Sequence, residues 1–196
     1  MHDFIYRAPT EVHFGKNSDG EITNLIAARG CKRVLVHYGM QSAVESGLIK
    51  RVIWAVERAG AKTTELGGVR PNPRLSLVRQ GIELCRREGV DFILAVGGGS
   101  VIDSAKAIGM GVAEGGDVWD FYCNKRTPEK SLPVGVVLTV AAAGSEMSKS
   151  SVITNDEICI KCGRNAEISR PVFAILNPEL TVSVPKYPRS KGSTTY

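Results

Sequence analysis

No apolar run in this chain approaches the roughly 20 residues that a helix needs to cross a bilayer. The opening segment, Met1 to Arg7, holds no apolar stretch of the kind that carries a secretory signal. Together these absences predict a cytoplasmic protein with no membrane contact. Histidine is scarce: His2, His13 and His37 stand far apart and offer no metal-ligand spacing. They read as structural or surface residues. Cysteine is limited to Cys31, Cys85, Cys123, Cys159 and Cys162. An odd number without a secretory signal predicts reduced thiols. Cys159 and Cys162 form a C-x-x-C, but no second pair and no histidines follow at zinc spacing, so they read as ordinary cysteines of a loop or hairpin. The net charge is only +5, and the basic residues are spread along the chain apart from Lys186, Arg189 and Lys191. Without a basic stripe or a recognised module, nucleic acid is excluded as a partner, whereas an anionic cofactor or substrate fits. There is no internal repeat and no low-complexity segment.

What is present suits one domain with a sizeable core: 196 residues, 43% of them hydrophobic. Short β-like pieces, Phe4 to Tyr6 and Glu11 to Phe14, flank Pro9-Thr10 and suggest an N-terminal hairpin or arm. A helix capped by Ser18 or Asp19 is expected to run to about Arg29 and close at Gly30. Strands are expected at Arg33–His37, Lys62–Leu66, Phe92–Val96, Leu132–Leu138 and Phe173–Leu176. Between them lie two amphipathic helices. One has Leu48, Val52, Ile53 and Val56 on a single face; the other has Leu75, Val78, Ile82 and Cys85. A further helix is expected from Val101 to about Gly111, then a polar loop from Glu114 to Lys130 with Trp119, Phe121 and Tyr122 inside it. Val152-Ile153 and Cys159-Ile160 flank a turn and suggest a hairpin. Alternating strands and helices predict an α/β fold, Rossmann-like, with a mostly parallel sheet and helices on both faces. Ligands of such sheets bind at the carboxyl ends of the strands.

One of those ends is unusual. The apolar run Phe92–Val96 stops at Gly97, Gly98 and Gly99, and Ser100 opens a segment with helical spacing. A strand that turns through glycines into a helix presents free backbone N–H groups at the positive end of a helix dipole, a ready site for phosphate. The glycines let the backbone approach the phosphate, and the turn can call for positive φ. The motif is neither G-x-G-x-x-G, since Ile102 stands at the last glycine position, nor a P-loop.

Taken in order, these residues resemble the iron-dependent (group III) alcohol dehydrogenases, and among them the NAD(P)-dependent butanol dehydrogenase-like members. The matching segments are Pro9–Gly15, Val34–Gly39, Gly67–Pro73, Ala95–Asp103 with Lys106, Leu138-Thr139, Gly144–Met147, Val152–Asn155 and Arg170–Thr181. The resemblance implies a dinucleotide-binding domain over residues 1–182, with 1–15 as a strand or arm that relatives exchange across a homodimer. It implies that Gly97, Gly98, Gly99 and Ser100 hold the pyrophosphate and that Asp103 sits toward the nicotinamide end. Thr139 and Ser145 would line the groove, and Lys161 would reach toward cofactor or substrate. The strand end at Gly39 bears no acid to bind ribose hydroxyls, and Ser42 stands where it can donate to a phosphate. Met40, Gln41 and Ala143 depart from the pattern of relatives, so the cofactor expected is NAD(P), with neither form chosen.

The resemblance ends near Pro185. Relatives continue into an all-helical domain that binds iron or zinc through one aspartate and three histidines. In this chain Thr195 aligns with that aspartate, and residues 183–196 form a divergent stub, so the metal ligands are expected to be absent. The implied function is interconversion of primary alcohols and aldehydes with NAD(P), this chain being the cofactor-binding half and of little activity in isolation. No catalytic residue is assigned. The alternatives are a non-catalytic nucleotide-binding module and a relative of glycerol dehydrogenase or dehydroquinate synthase.

Overall fold

The computed structural model describes residues 8–40 and 42–181. The expected strand at Phe4–Tyr6, His2, the basic cluster Lys186–Lys191 and the 183–196 stub with Thr195 lie outside them. Six strands form one parallel sheet: β1 (Glu11–Phe14), β2 (Arg33–Gly39), β3 (Lys62–Val69), β4 (Phe92–Gly97), β5 (Val134–Leu138) and, after a separate hairpin, β8 (Phe173–Leu176), in the order β1-β8-β5-β4-β2-β3. The hairpin consists of β6 (Ser150–Asn155) and β7 (Ile160–Asn165). The helices are α1 (Ile22–Ala28), α2 (Ser42–Glu45), α3 (Leu48–Arg58), α4 (Leu75–Glu88), α5 (Gly99–Glu114) and α6 (Trp119–Tyr122).

The sheet is covered on both faces because its central strands carry apolar side chains on both sides. Leu35, Ile93, Ala95 and Val136 pack with Leu75, Val78 and Ile82 of α4 and Ile102, Ala105 and Ile108 of α5. The alternate residues Val34, Val36, Phe92, Leu94, Val96 and Val137 pack with Ile22 and Ile26 of α1 and Ile49, Val52 and Val56 of α3. Continuous apolar strands of this kind are what a doubly covered parallel sheet requires. β3 is an edge strand, and after it the chain returns through α4 to place β4 on the other side of β2. From β4 the strands then run away to β5 and β8. The direction of winding therefore reverses between β2 and β4, and at such a reversal a crevice opens at the carboxyl ends of the strands.

Several local expectations are corrected. β1 joins the sheet edge in parallel with β8, with Glu11 opposite Phe173 and Phe14 opposite Leu176, a partner distant in sequence, while the other piece of the expected hairpin or arm lies outside the described residues. Neither Ser18 nor Asp19 caps the first helix. Asn17 precedes a 3-10 turn with φ of 58°, and Asp19 instead accepts from Asn177 Nδ2 at 2.8 Å. β3 continues through Gly67 and Gly68 to Val69. The segment Glu114–Lys130 is not simply polar loop: α6 buries Trp119, Phe121 and Tyr122, and Arg126 lies over the Phe121 ring. The hairpin forms as expected, with Ile153 opposite Cys162; exposed Cys159 sits in its turn with φ of 55°.

Candidate functional site

A groove of about 630 Å³ opens at the β2–β4 reversal. Gly39 ends β2 on one side. Val69 to Pro73 follow β3, Gly97 to Ser100 join β4 to α5, and Thr139 to Ala143 follow β5. The hairpin contributes Val152 and Lys161. Five chain segments far apart in sequence thus converge because each leaves the carboxyl end of a strand, or docks beside one.

The floor is the glycine turn. Gly98 caps α5 in extended backbone, with φ of −94°, and its carbonyl accepts from the N–H groups of Val101 and Ile102 at 3.0 and 3.2 Å. The N–H groups of Gly99 and Ser100 precede any intrahelical acceptor, so they are the free donors at the positive end of a 16-residue helix. None of the three glycines has positive φ, which corrects the expectation that the turn needs it. Space is the reason instead. A Cβ on Gly97 would lie 2.5 Å from Val101 Cγ2, and one on Gly98 would lie 3.1 Å from Val140 Cβ. At Gly99 the nearest atom would be Ala143 Cβ at 3.6 Å, an ordinary contact. Gly97 and Gly98 therefore let chain pack on chain, and Gly99 leaves groove surface bare.

The far wall depends on α5. Asp103 lines the groove, but both of its carboxylate oxygens are engaged: Ser145 Oγ donates at 2.6 Å and the Val152 N–H at 3.1 Å. Burial raises the Asp103 pKa, and the Ser145 hydroxyl opposes that shift. One turn on, Lys106 is wholly buried. Its Nζ donates to the carbonyls of Ser145, Ser148 and Ser150 at 2.7, 2.9 and 2.8 Å. Burial pushes this amine down to about 8, while Asp103 and Glu146 pull it back up. Three carbonyls use the three donors of an ammonium group. The side chain thus fixes the segment that carries Thr139 to Ala143 toward the hairpin. Ser145 stands behind the groove, bridging Asp103 and Lys106 (3.0 Å to its hydroxyl), and is not one of the lining residues. Tyr122 shares a 2.6 Å hydrogen bond with Ser151, whose hydroxyl donates to the Asp103 carbonyl at 2.9 Å.

The remaining expected residues divide. Gly39, Gly97 to Ser100, Thr139 and Lys161 meet in the groove, with Lys161 donating to Asn72 Oδ1 at 2.7 Å. Ser42 opens α2, and its side chain is outside the described set. His37 is core: its Nδ1–H donates to the Leu66 carbonyl at 2.8 Å, which leaves Nε2 to accept from Ser104 Oγ at 2.9 Å. Burial lowers its pKa to about 4. Among the described residues no three His, Cys, Asp or Glu side chains converge. They do not fit the metal ion that the resemblance implies. Two charged residues at the groove carried no expected site role: Lys106, visible as a lone cation in an apolar helix, and Arg70, which lines the groove and gave no such signal.

Residues 9–178 match the family model for iron-containing alcohol dehydrogenase. The chain is 46% identical over 186 residues to a probable NADH-dependent butanol dehydrogenase of Bacillus subtilis, covering 95% of this chain and 48% of that protein. It is 34% identical to an NADPH-dependent aldehyde reductase of Escherichia coli, covering 94% and 48%. The fold superposes on a crystal structure described as NADH-dependent butanol dehydrogenase A from Thermotoga maritima with a TM-score of 0.94. That match has 36% identity and covers 98% of this chain and 48% of the other. The chain thus spans about half the length of the curated relatives it matches.

Proposed function

The chain belongs to the iron-containing alcohol dehydrogenase family, and we propose that it forms the dinucleotide-binding half of an NAD(P)-dependent oxidoreductase that interconverts primary alcohols and aldehydes. The observation that carries this reading is the groove itself. It lies at the carboxyl ends of the strands, is floored by a glycine turn with two free amides, and is lined also by Arg70 and Lys161. A dinucleotide is long, flat-ended and doubly charged at its middle, and it fits a groove with donors at its centre.

In this reading the cofactor supplies the hydride chemistry, and the protein supplies placement and field. Gly99 and Ser100 hold the pyrophosphate through their N–H groups. Gly97 and Gly98 keep that backbone close to the sheet, and Gly39 leaves room beside the ribose. Ser42 and Thr139 offer hydroxyls to the cofactor, and Lys161 extends from the hairpin over it. Asp103 and Ser145 act on the wall rather than on a proton, since the carboxylate is already engaged on both oxygens. Relatives divide by name between NADH and NADPH.

Residues 1–182 are proposed as the dinucleotide-binding domain. A homodimer is proposed through β1, an edge strand on which Val12 and Phe14 are exposed. A cytoplasmic setting fits the five unpaired cysteines. Fluorescence titration of the chain with NADH and NADPH tests the central reading. Saturable binding is expected, with competition by ADP-ribose. A chain that folds by circular dichroism yet binds neither dinucleotide would sink it.

A further inference from the structure

Resting on that reading of the groove, we propose that Arg70 recognises the 2′-phosphate of the cofactor and makes this groove prefer NADPH over NADH. The argument begins at the end of β2. In a dinucleotide groove this position holds a carboxylate when ribose hydroxyls are to be bound and a 2′-phosphate repelled. Here it is Gly39, with no side chain. Gly39 pairs in register with Val69 at the end of β3. Arg70 is the next residue, so its side chain leaves the backbone one step from the vacant acid position, and it lines the groove.

The other charges at the site are already engaged. Asp103 is the single acid among the lining residues, and its oxygens are taken by Ser145 and Val152. Glu65 of β3 accepts from the Tyr38 hydroxyl at 3.2 Å and is not a lining residue. Lys161 donates to Asn72. Arg70 is exposed, and among the described residues neither a hydrogen bond nor an ion pair engages it. A free guanidinium beside a missing carboxylate matches a phosphate monoester, which it can hold with two parallel N–H donors. The pyrophosphate is a second phosphate source in the same ligand, but it is shared by NADH and NADPH and so cancels in their ratio.

The test is parallel fluorescence titration of the 196-residue chain and its Arg70→Ala variant with NADH and NADPH, at two salt concentrations. Arg87→Ala, an exposed arginine of α4 outside the groove, controls for net charge. The unaltered chain is expected to bind NADPH roughly tenfold more tightly than NADH, as one charge-assisted contact to a phosphate would give. Arg70→Ala is expected to bring the two affinities together by weakening NADPH alone, and Arg87→Ala to leave the ratio as it was. Added salt should shrink the ratio in the unaltered chain and not in Arg70→Ala. A ratio unchanged by Arg70→Ala, or an equal loss for both cofactors, overturns the inference while the groove reading stands. Binding of neither cofactor by the unaltered chain overturns both.

Discussion

The two walls of the groove are held by different forces. The β4–α5 turn is fixed by exclusion: apolar atoms of Val101 and Val140 occupy the space where glycine side chains would be. The segment from Thr139 to Ser150 is fixed by charge, through the buried Lys106 ammonium and the Asp103 carboxylate. Exclusion is insensitive to pH and salt and tolerates no added atom. A buried cation on three carbonyls accepts small shifts in shape but fails outright when a donor is lost. In the proposed reading, a groove that grips a pyrophosphate and admits a long cofactor gains from one rigid side and one that is tied by a single group.

Removing that group is the sharpest break. Lys106→Met matches the apolar stem but ends one atom short of the ammonium, and leaves the carbonyls of Ser145, Ser148 and Ser150 without their donor and Asp103 without its nearby cation. We expect a loss of about 3–5 kcal/mol, the range for breaking a buried charged contact from one side. Urea denaturation measures the total, and amide hydrogen exchange locates it. Exchange should rise from Ser145 to Val152 and stay unchanged in β4. A loss under about 1 kcal/mol would mean that the loop holds its shape without the ammonium.

Acid tests the support beneath the other wall. His37 of β2 links the Leu66 carbonyl in β3 to Ser104 in α5, just behind the glycine turn. Its folded pKa of about 4 lies below the ordinary 6.5. Between those values the unfolded chain binds the proton and the folded chain does not. Stability is therefore complete above about pH 6.5 and falls as pH drops toward 4, by about 2–3 kcal/mol at pH 4.5. His37→Gln should start less stable and lose less over the same interval. Parallel slopes for the two chains in urea midpoint against pH would remove His37 from the account.

These two walls were not equally legible in the sequence. Phe92–Val96 followed by three glycines announces strand, turn and helix start, the elements on which the proposed phosphate site rests, because each depends on neighbours in the chain. The alternation of strands and helices likewise carries the parallel sheet. Lys106 could be seen as odd in an apolar helix, but its partners lie 39 to 44 residues away and are backbone carbonyls, which have no sequence signature. Ser145 was expected in the groove and stands behind it for the same reason. β1 was legible as a β-like piece, but its partner β8 was not, since it lies some 160 residues on, held also by Thr10 Oγ1 on the Pro171 carbonyl at 2.8 Å. Arg70 escaped notice because only the register of β2 on β3 brings it beside Gly39.

The smallest effects make the finest comparison, within the turn itself. Gly97→Ala puts a methyl 2.5 Å from Val101, a β-branched residue with little freedom to turn, and should cost about 1–3 kcal/mol as overpacking. Gly98→Ala meets Val140 at 3.1 Å and should cost less. Gly99→Ala meets only Ala143 at 3.6 Å, at the first position of α5, where alanine is a better helix former than glycine. Its stability should stay within about 0.5 kcal/mol of the original or rise slightly. Its affinity for either dinucleotide should nevertheless fall, because the new methyl stands on the surface that the pyrophosphate must approach. If folding cost and binding cost instead rise and fall together across the three positions, the glycines serve packing alone and the turn is not the phosphate site. If they separate, with Gly97 governing stability and Gly99 governing affinity, a single three-residue run divides between the two tasks.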